Sequence, residues 1–219
     1  MLHSLTVGPL GERCYLLEFG PPGEAIIVDP GDEADRILAL LDSVGLKPAC
    51  ILATHGHLDH TAAIPDLMAA FAARGLTPPI AIHREDAAYF GASSEATNRA
   101  TFTSIGATGF FKHYFRPLPE ASIILEDGDA LLGSAWKVIH TPGHTRGSIC
   151  LYNAAESCLV SGDTLFAGGV GRTDGPDSDP EALATSITTR LLVLPDDTQV
   201  HPGHGGPTTI GNEREGLLY

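Results

Sequence analysis

Short apolar runs alternate with amphipathic stretches along this chain. Leu2–Val7 and Cys14–Phe19 read as two strands, and Gly20-Pro21-Pro22-Gly23 is a turn before a third strand at Ile26–Val28. Asp29-Pro30-Gly31 closes that run and leaves Asp29 at a strand terminus, where it either orients a ligand histidine or simply begins a turn. From Glu33 to Val44 the apolar positions Ile37, Leu38, Leu40, Leu41 and Val44 fit one helical face, which Gly45 terminates. Ala49–Ala53 is apolar again, and a second helix is expected from about Thr61 to Arg74, with Pro65 confined to its first turn. Pro79–His83 is a further strand. The alternation of strand and helix predicts an α/β fold.

Residues 84–121 lose both periods. They hold five phenylalanines (Phe90, Phe102, Phe110, Phe111, Phe115), Tyr89, Tyr114 and a local basic cluster of Lys112, His113 and Arg116. An irregular insertion is expected here: a cap over a substrate, or a helical excursion burying its own aromatics, or a subunit contact in a homo-oligomer. Beyond it the strand pattern returns at Ser122–Leu125, Ala130–Leu132, Trp136–His140, Ser148–Tyr152 and Cys158–Ser161, with turn signals between. A helix from about Pro180 to Leu192 then leads to a last strand at Gln199–His201. At 219 residues the chain suffices for one large domain, 1–219, and nothing in it resembles a linker.

Several of these apolar runs empty into polar loops. Directly after Ala49–Ala53 comes Thr54-His55-Gly56-His57-Leu58-Asp59-His60, with three imidazoles and a carboxylate in six residues. Open α/β sheets bind ligands at the carboxyl ends of strands, and imidazole with carboxylate suits zinc, iron, manganese or nickel. His144 in Thr141-Pro142-Gly143-His144-Thr145, Asp163 after Gly162, and His204 in Pro202-Gly203-His204-Gly205-Gly206 repeat the arrangement, with glycine beside each ligand type. Five histidines and two aspartates are enough for two adjacent metal ions. His3, His83, His113, His140 and His201 lie outside these motifs and read as structural or exposed.

Charge and cysteine content narrow the partners. Thirteen basic residues against 27 acidic ones give a formal net charge of −14, which argues against nucleic acid or an anionic membrane as a partner. A small anionic substrate stays open, because one local Lys or Arg can serve it. The four cysteines form no C-x-x-C and sit mostly in apolar runs, as reduced thiols of a cytoplasmic protein do. Met1–Leu10 lacks the features of a signal peptide, and no run reaches the ~18 apolar residues of a membrane span.

The T-H-G-H-L-D-H, T-P-G-H-T, S-G-D-T-L-F and P-G-H-G-G-P-T segments together resemble the metallo-β-lactamase superfamily, in order and in approximate spacing, over nearly the whole chain. The resemblance implies a four-layer αβ/βα sandwich with two divalent metal ions at one edge, zinc first, with iron or manganese also admissible. Carried over residue by residue, it implies that His55, His57 and His144 hold one ion, that Asp59, His60 and His204 hold the other, and that Asp163 bridges them. Within the superfamily, G-D-T-L-F-A-G-G-V-G-R-T-D from Gly162 to Asp174 looks most like glyoxalase II and its short single-domain relatives. Those enzymes hydrolyse S-(2-hydroxyacyl)glutathione thioesters through a metal-bridging hydroxide, which implies Asp59 and Asp163 in the catalytic set.

The family's C-terminal helical domain has no counterpart here, and Arg172 and Asp174 stand where the long enzymes have Lys and Tyr. Arg172 is a candidate to meet a substrate carboxylate bidentately, with a surface or inter-loop salt bridge as the other reading. A cap formed by residues 84–121 would add Lys112 and Tyr114 to the substrate site. A persulfide dioxygenase of the same fold, with one iron on His55, His144 and Asp163, is the alternative activity. A lactone or ester hydrolase, and a metal-binding interaction protein without catalysis, complete the set.

Overall fold

Period-two alternation divides the side chains of the first strands between two cores. In the computed structural model, which describes residues 1–20 and 23–216, Cys14 and Leu16 face one layer of core while Tyr15 and Leu17 face the other. Part of the expected Gly20–Gly23 turn, Pro21-Pro22, lies outside the described residues. Strands β1 (Leu2–Val7), β2 (Glu12–Glu18), β3 (Glu24–Val28), β4 (Lys47–Leu52), β5 (Ile80–His83) and β6 (Ile123–Leu125) form a six-stranded sheet in chain order. Pairing is antiparallel from β1 to β3 and parallel from β3 to β6. The parallel strands are apolar on both faces, as a sheet covered on both sides requires.

One face of this sheet is covered by helices α1 (Ala34–Val44) and α3 (Ile64–Ala73), which insert Ile37, Leu41, Leu67 and Phe71. Gly45, in the left-handed region at φ 71°, ends α1 as its sequence indicates. The expected 61–74 helix is two elements, a single turn α2 (Leu58–Thr61) and then α3, with Pro65 in the first turn of α3. The second sheet runs β13-β12-β9-β8-β7, from β7 (Lys137–His140), β8 (Ile149–Asn153), β9 (Cys158–Gly162), β12 (Gln199–Pro202) and β13 (Thr208–Thr209). A small hairpin, β10 (Leu165–Phe166) with β11 (Gly169–Val170), stands apart from it.

Between the sheets lies a core of Tyr15, Leu17, Ile26, Val28 and Leu52 against Trp136, Val138, Leu151 and Val160. Leu17 and Ile26 are fully buried, a burial that contributes about 1.5–3 kcal/mol per side chain. Leu183, Ile187, Leu191 and Ile210 cover the outer face of the second sheet, from α6 (Pro180–Ser186), the wide turn Ile187–Leu191 and α7 (Ile210–Gly216). The layers are thus helix, sheet, sheet, helix: the four-layer αβ/βα sandwich.

Two expectations from the sequence are corrected. Ala130–Leu132 is no strand; Ala130 makes an isolated bridge to Lys137, and Leu131–Gly133 is a tight turn with Leu132 at φ 51° that tucks Leu131 into the core. Residues 84–121 are mostly helical rather than irregular. They contain a 3₁₀ turn at Arg84–Tyr89, then α4 (Ser94–Ser104) and α5 (Thr108–Tyr114). α4 buries Ser94, Asn98 and Thr101 beside Phe102, so a polar inward face hid its period. The four cysteines are free and buried, and burial pushes the Cys50 thiol up to about 12, which leaves it inert. Among the described residues no helix is long and apolar enough to cross a membrane.

Candidate metal centre

Strands β3, β4 and β5 are parallel to one another, as are β9 and β12, so their carboxyl ends gather at one edge of the sandwich. Asp29 follows β3, the His55–His60 loop follows β4, His144 follows β7, Asp163 follows β9 and His204 follows β12. The motifs that lie far apart in sequence therefore converge. His55, His57 and His144 present donor atoms within 4.8 Å of one another, as do His55, His60 and Asp163, and as do Asp59, His60 and His204. Asp163 lies between the groups: Oδ1 is 3.4 Å from His60 Nε2, and Oδ2 is 3.7 Å from both His144 Nε2 and His204 Nε2. Asp59 Oδ2 is 3.4 Å from His204 Nε2 and 3.8 Å from His60 Nε2.

Outer partners fix which ring nitrogen faces the centre. His144 Nδ1 donates to the Arg172 carbonyl at 2.8 Å, and His204 Nδ1 donates to the Leu10 carbonyl at 3.2 Å. His60 Nδ1 donates to Asp29 Oδ2 at 3.0 Å, and His55 Nδ1 meets Thr54 Oγ1 at 3.1 Å, whose own proton goes to Asp29. Each of these four rings thereby turns Nε2 inward. His57 differs: its Nδ1 lies 3.0 Å from His144 Nε2 and faces the cluster. Asp29, buried at φ 51°, also accepts from the Thr54 amide at 2.7 Å, so it is a ligand-orienting group as well as a turn former. Gly203 is required by close approach, because a Cβ there would sit 2.3 Å from Asp163 Oδ1.

Electrostatics separate two halves of the cluster. Burial, and then the neighbouring His144, lower His57 to about 3, and burial likewise drives His55 well below the ordinary imidazole range. Burial opposes protonation of His60 too, but Asp163, Asp59 and Asp29 outweigh it and raise this ring well above its usual value. Burial would lift Asp163, yet His60 and the other rings bring it below the usual carboxylate range. His55 Nε2, His60 Nε2 and Asp163 Oδ1 are buried without a hydrogen-bond partner. Such orphaned groups cost about 1–3 kcal/mol each, and a cation at the centre would satisfy all of them. The donor set fits divalent metal ions on that ground.

Of the expected substrate residues, Tyr114 is beside the cluster. With Phe110, Leu10 and Glu12 it lines a recess of about 10 Å³ at Asp59. Lys112 is exposed and is not part of that lining. Arg172 is held by Asp174, with its Nε and one terminal nitrogen 2.6 and 2.7 Å from the two carboxylate oxygens. Two further residues, Glu12 and Asp86, escaped the sequence reading, which placed Tyr89, Phe102 and Phe110 only among the aromatics of the 84–121 segment. Phe102 sets its ring edge-on to His57 at 6.1 Å, and Phe110 and Tyr114 stack behind it at 5.5 and 4.3 Å. Glu12 is buried behind His60 with both oxygens unpartnered, and burial holds its carboxyl well above the usual range. Asp86 and Tyr89 follow β5 and reach the His55–His57 loop. The one available signal was an acidic residue close behind a strand end, as at Asp86.

Layer order, sheet topology and the edge position of the donors define a four-layer αβ/βα sandwich with a candidate metal centre at one edge. The chain belongs to the metallo-beta-lactamase superfamily, whose family model matches residues 7–204. It is 35% identical over 215 residues to the hydroxyacylglutathione hydrolase GloC of Haemophilus influenzae, covering 97% of this chain and 94% of that one. Among solved structures, TTHA1623 in a di-iron-bound form superposes with a TM-score of 0.79 at 37% identity, covering 97% of this chain and 96% of that chain. The BLEG-1 B3 metallo-beta-lactamase gives a TM-score of 0.81 at 33% identity, with 98% and 97% covered.

Proposed function

We propose that this chain is a metal-dependent thioesterase of the glyoxalase II kind, acting on S-(2-hydroxyacyl)glutathione or a related thioester. His55, His57 and His144 would hold one divalent ion and Asp59, His60 and His204 a second, with Asp163 placed to serve either. The observation that carries this reading is the placement of Asp163 between the two histidine groups, with one oxygen toward His60 and the other toward His144 and His204. Zinc is the first candidate metal, and the di-iron form of TTHA1623 puts iron beside it. When bound, the ions supply Lewis-acid polarisation of the thioester carbonyl and of the attacking water.

The chain's own groups do the rest. Burial keeps His55 and His57 below the ordinary imidazole range, which suits them as donors, whereas Asp163, Asp59 and Asp29 overcome burial to raise His60, so a cation there would compete with a proton. Asp59 is the more exposed of the two catalytic carboxylates, and although burial opposes it, His60 and His204 hold its carboxyl below the usual range, so it stays an anionic donor. A thiolate leaves without a strong acid, which suits a site whose titratable groups are occupied as donors. The Phe102–Phe110–Tyr114 stack walls the substrate on the His57 side. Arg172 receives a glutathione carboxylate by exchanging Asp174 for it. The likeness to GloC, a hydroxyacylglutathione hydrolase, supports this substrate class.

The test is metal analysis of protein purified without added metal, followed by assays with S-lactoylglutathione, glutathione persulfide and a lactone. Two ions per chain with thioester cleavage is the expected result. One iron per chain with persulfide consumption would replace the hydrolase by the dioxygenase.

A further inference from the structure

Asp86 lies outside the donor set, yet its carboxylate joins the two loops that bring the buried histidine trio together. It sits in the 3₁₀ turn after β5 and is 1% exposed. Oδ2 accepts from the Gly56 amide at 2.9 Å and from Thr145 Oγ1 at 2.8 Å, and Oδ1 accepts from the Gly147 amide at 2.7 Å. Gly56 separates His55 from His57, and Thr145 follows His144. One loop belongs to the first sheet and the other to the second, so this carboxylate spans the seam between them. The same turn supplies Tyr89, whose ring packs under Gly56 so tightly that a Cβ there would lie 2.1 Å from its Cγ. Tyr89 is anchored in turn through its hydroxyl, 2.9 Å from Thr101 Oγ1 and 3.2 Å from Asp177 Oδ2.

We propose that Asp86 is a positioning residue for the His55–His57–His144 donor set, holding the two loops at the spacing where three imidazole nitrogens meet one cation. The inference rests on the reading of that trio as a metal site. An ionised carboxylate only accepts, which matches three converging donors. Asparagine at this place must turn its NH₂ toward at least one of those donors, and so loses that bond and sets two donors against each other. Asp86 bonds the loops of the trio, so its loss weakens one metal position and leaves Asp59–His60–His204 in place. A carboxylate that merely stabilised the fold would not discriminate between them.

Zinc titration of the metal-stripped chain against a chromophoric chelator reads this out, in parallel with melting temperature. The comparison is Asp86→Asn against Glu213→Gln; Glu213 is also a buried carboxylate, accepting from the Gly168 amide at 2.9 Å and Thr208 Oγ1 at 2.6 Å. Asp86→Asn is expected to bind one zinc ion as the wild type does and the other at least about tenfold more weakly, the scale of effect for a lost outer partner. Glu213→Gln is expected to lower the melting temperature and keep both affinities. Thr145→Val, which removes one of the three donors, gives a smaller weakening of the same position and carries the test if Asp86→Asn does not fold. Wild-type affinity for both ions in Asp86→Asn or Thr145→Val overturns the proposal, as does equal weakening in Glu213→Gln. Absence of zinc uptake by the wild-type chain removes the metal reading itself, and the positioning role falls with it.

Discussion

The His55–His60 loop and the 84–121 segment wall the same cluster from opposite sides, and they are written in the chain in opposite ways. The loop spends its side chains on the centre: three imidazoles and Asp59 within six residues, each with its partner on another strand end. The segment contributes a frame of Asp86, Tyr89, Phe102, Phe110 and Tyr114; Asn98 and Thr101 bond Tyr89 within it, whereas Asp86 reaches out to Gly56, Thr145 and Gly147. A substitution in the loop should therefore change chemistry with little change in stability. Asp86 apart, a substitution in the segment should change stability or substrate affinity first. That division can be broken by experiment.

The largest effect belongs to the donors. Asp163→Asn keeps shape but loses the anion between the two histidine groups, and is expected to fold, to lose one metal ion, and to cost on the order of 10³ in kcat with S-lactoylglutathione. Near wild-type turnover in a variant short of one ion would remove Asp163 from the chemistry. Next comes Asn98 in the frame, which is fully buried and donates to the Tyr89 and Ser94 carbonyls at 3.2 and 2.9 Å. Asn98→Ala leaves the Tyr89 carbonyl unpaired and is expected to destabilise by about 1–3 kcal/mol in denaturant titration, with metal content unchanged. Loss of metal at unchanged stability would erase the contrast between frame and centre.

Smaller still is the expected effect on substrate binding. Tyr114→Ala should raise KM for an anionic thioester by roughly three- to tenfold with little change in kcat, and the exposed Lys112→Ala by less. Unchanged kinetics together with an altered oligomeric state would assign α5 to a subunit contact instead. The smallest effect is a pH dependence at the base of the segment. His83 Nδ1 accepts from the Glu85 amide at 3.3 Å, and its ring stacks on His140 at 4.0 Å. Burial, then His140, lower its value below the ordinary 6.5, so the unfolded chain takes up this proton first. The stability that neutral His83 gives is complete above about pH 6.5 and is lost as pH falls from there toward the folded-state value. His83→Asn retains an acceptor but cannot titrate, so its melting temperature should fall less steeply below about pH 6.5. Identical slopes would exclude His83 from the pH response.

What was legible followed the same division. The α/β class, most strands and the donor loops came from periods and spacings that are local in sequence, as at Ile37–Leu41 in α1 and Ile51–Leu52 before the His loop, whereas the two-sheet sandwich was implied by the family resemblance. Asp29 was half legible: its strand-end position was evident, but its bonds to Thr54 and His60 arise only when β3 and β4 lie side by side. α4 was illegible because Asn98 and Thr101 occupy inward positions that the hydrophobic pattern counts as solvent-facing. Asp86 and Glu12 were missed because a buried carboxylate looks like any surface acid until its donors, or its neighbours, arrive from elsewhere in the chain.

The seam between β2 and the last donor loop carries one more consequence. Tyr15 donates its hydroxyl to the Pro202 carbonyl at 2.7 Å across 187 residues, the Arg13 amide bonds the Gly203 carbonyl at 2.8 Å, and Glu12 bridges His204. Chain closure over such a span is cheap, because each doubling of loop length adds only about 0.6 kcal/mol. It is slow in order of events, however, since synthesis runs from the N-terminus and an early strand must wait for residue 203 to emerge. On the proposed ligand set, His204 is thus the last donor to reach a centre whose first histidines were made some 150 residues earlier. Full metal capture would then require this seam to have closed, and a nascent chain halted before Pro202 would offer only a partial set.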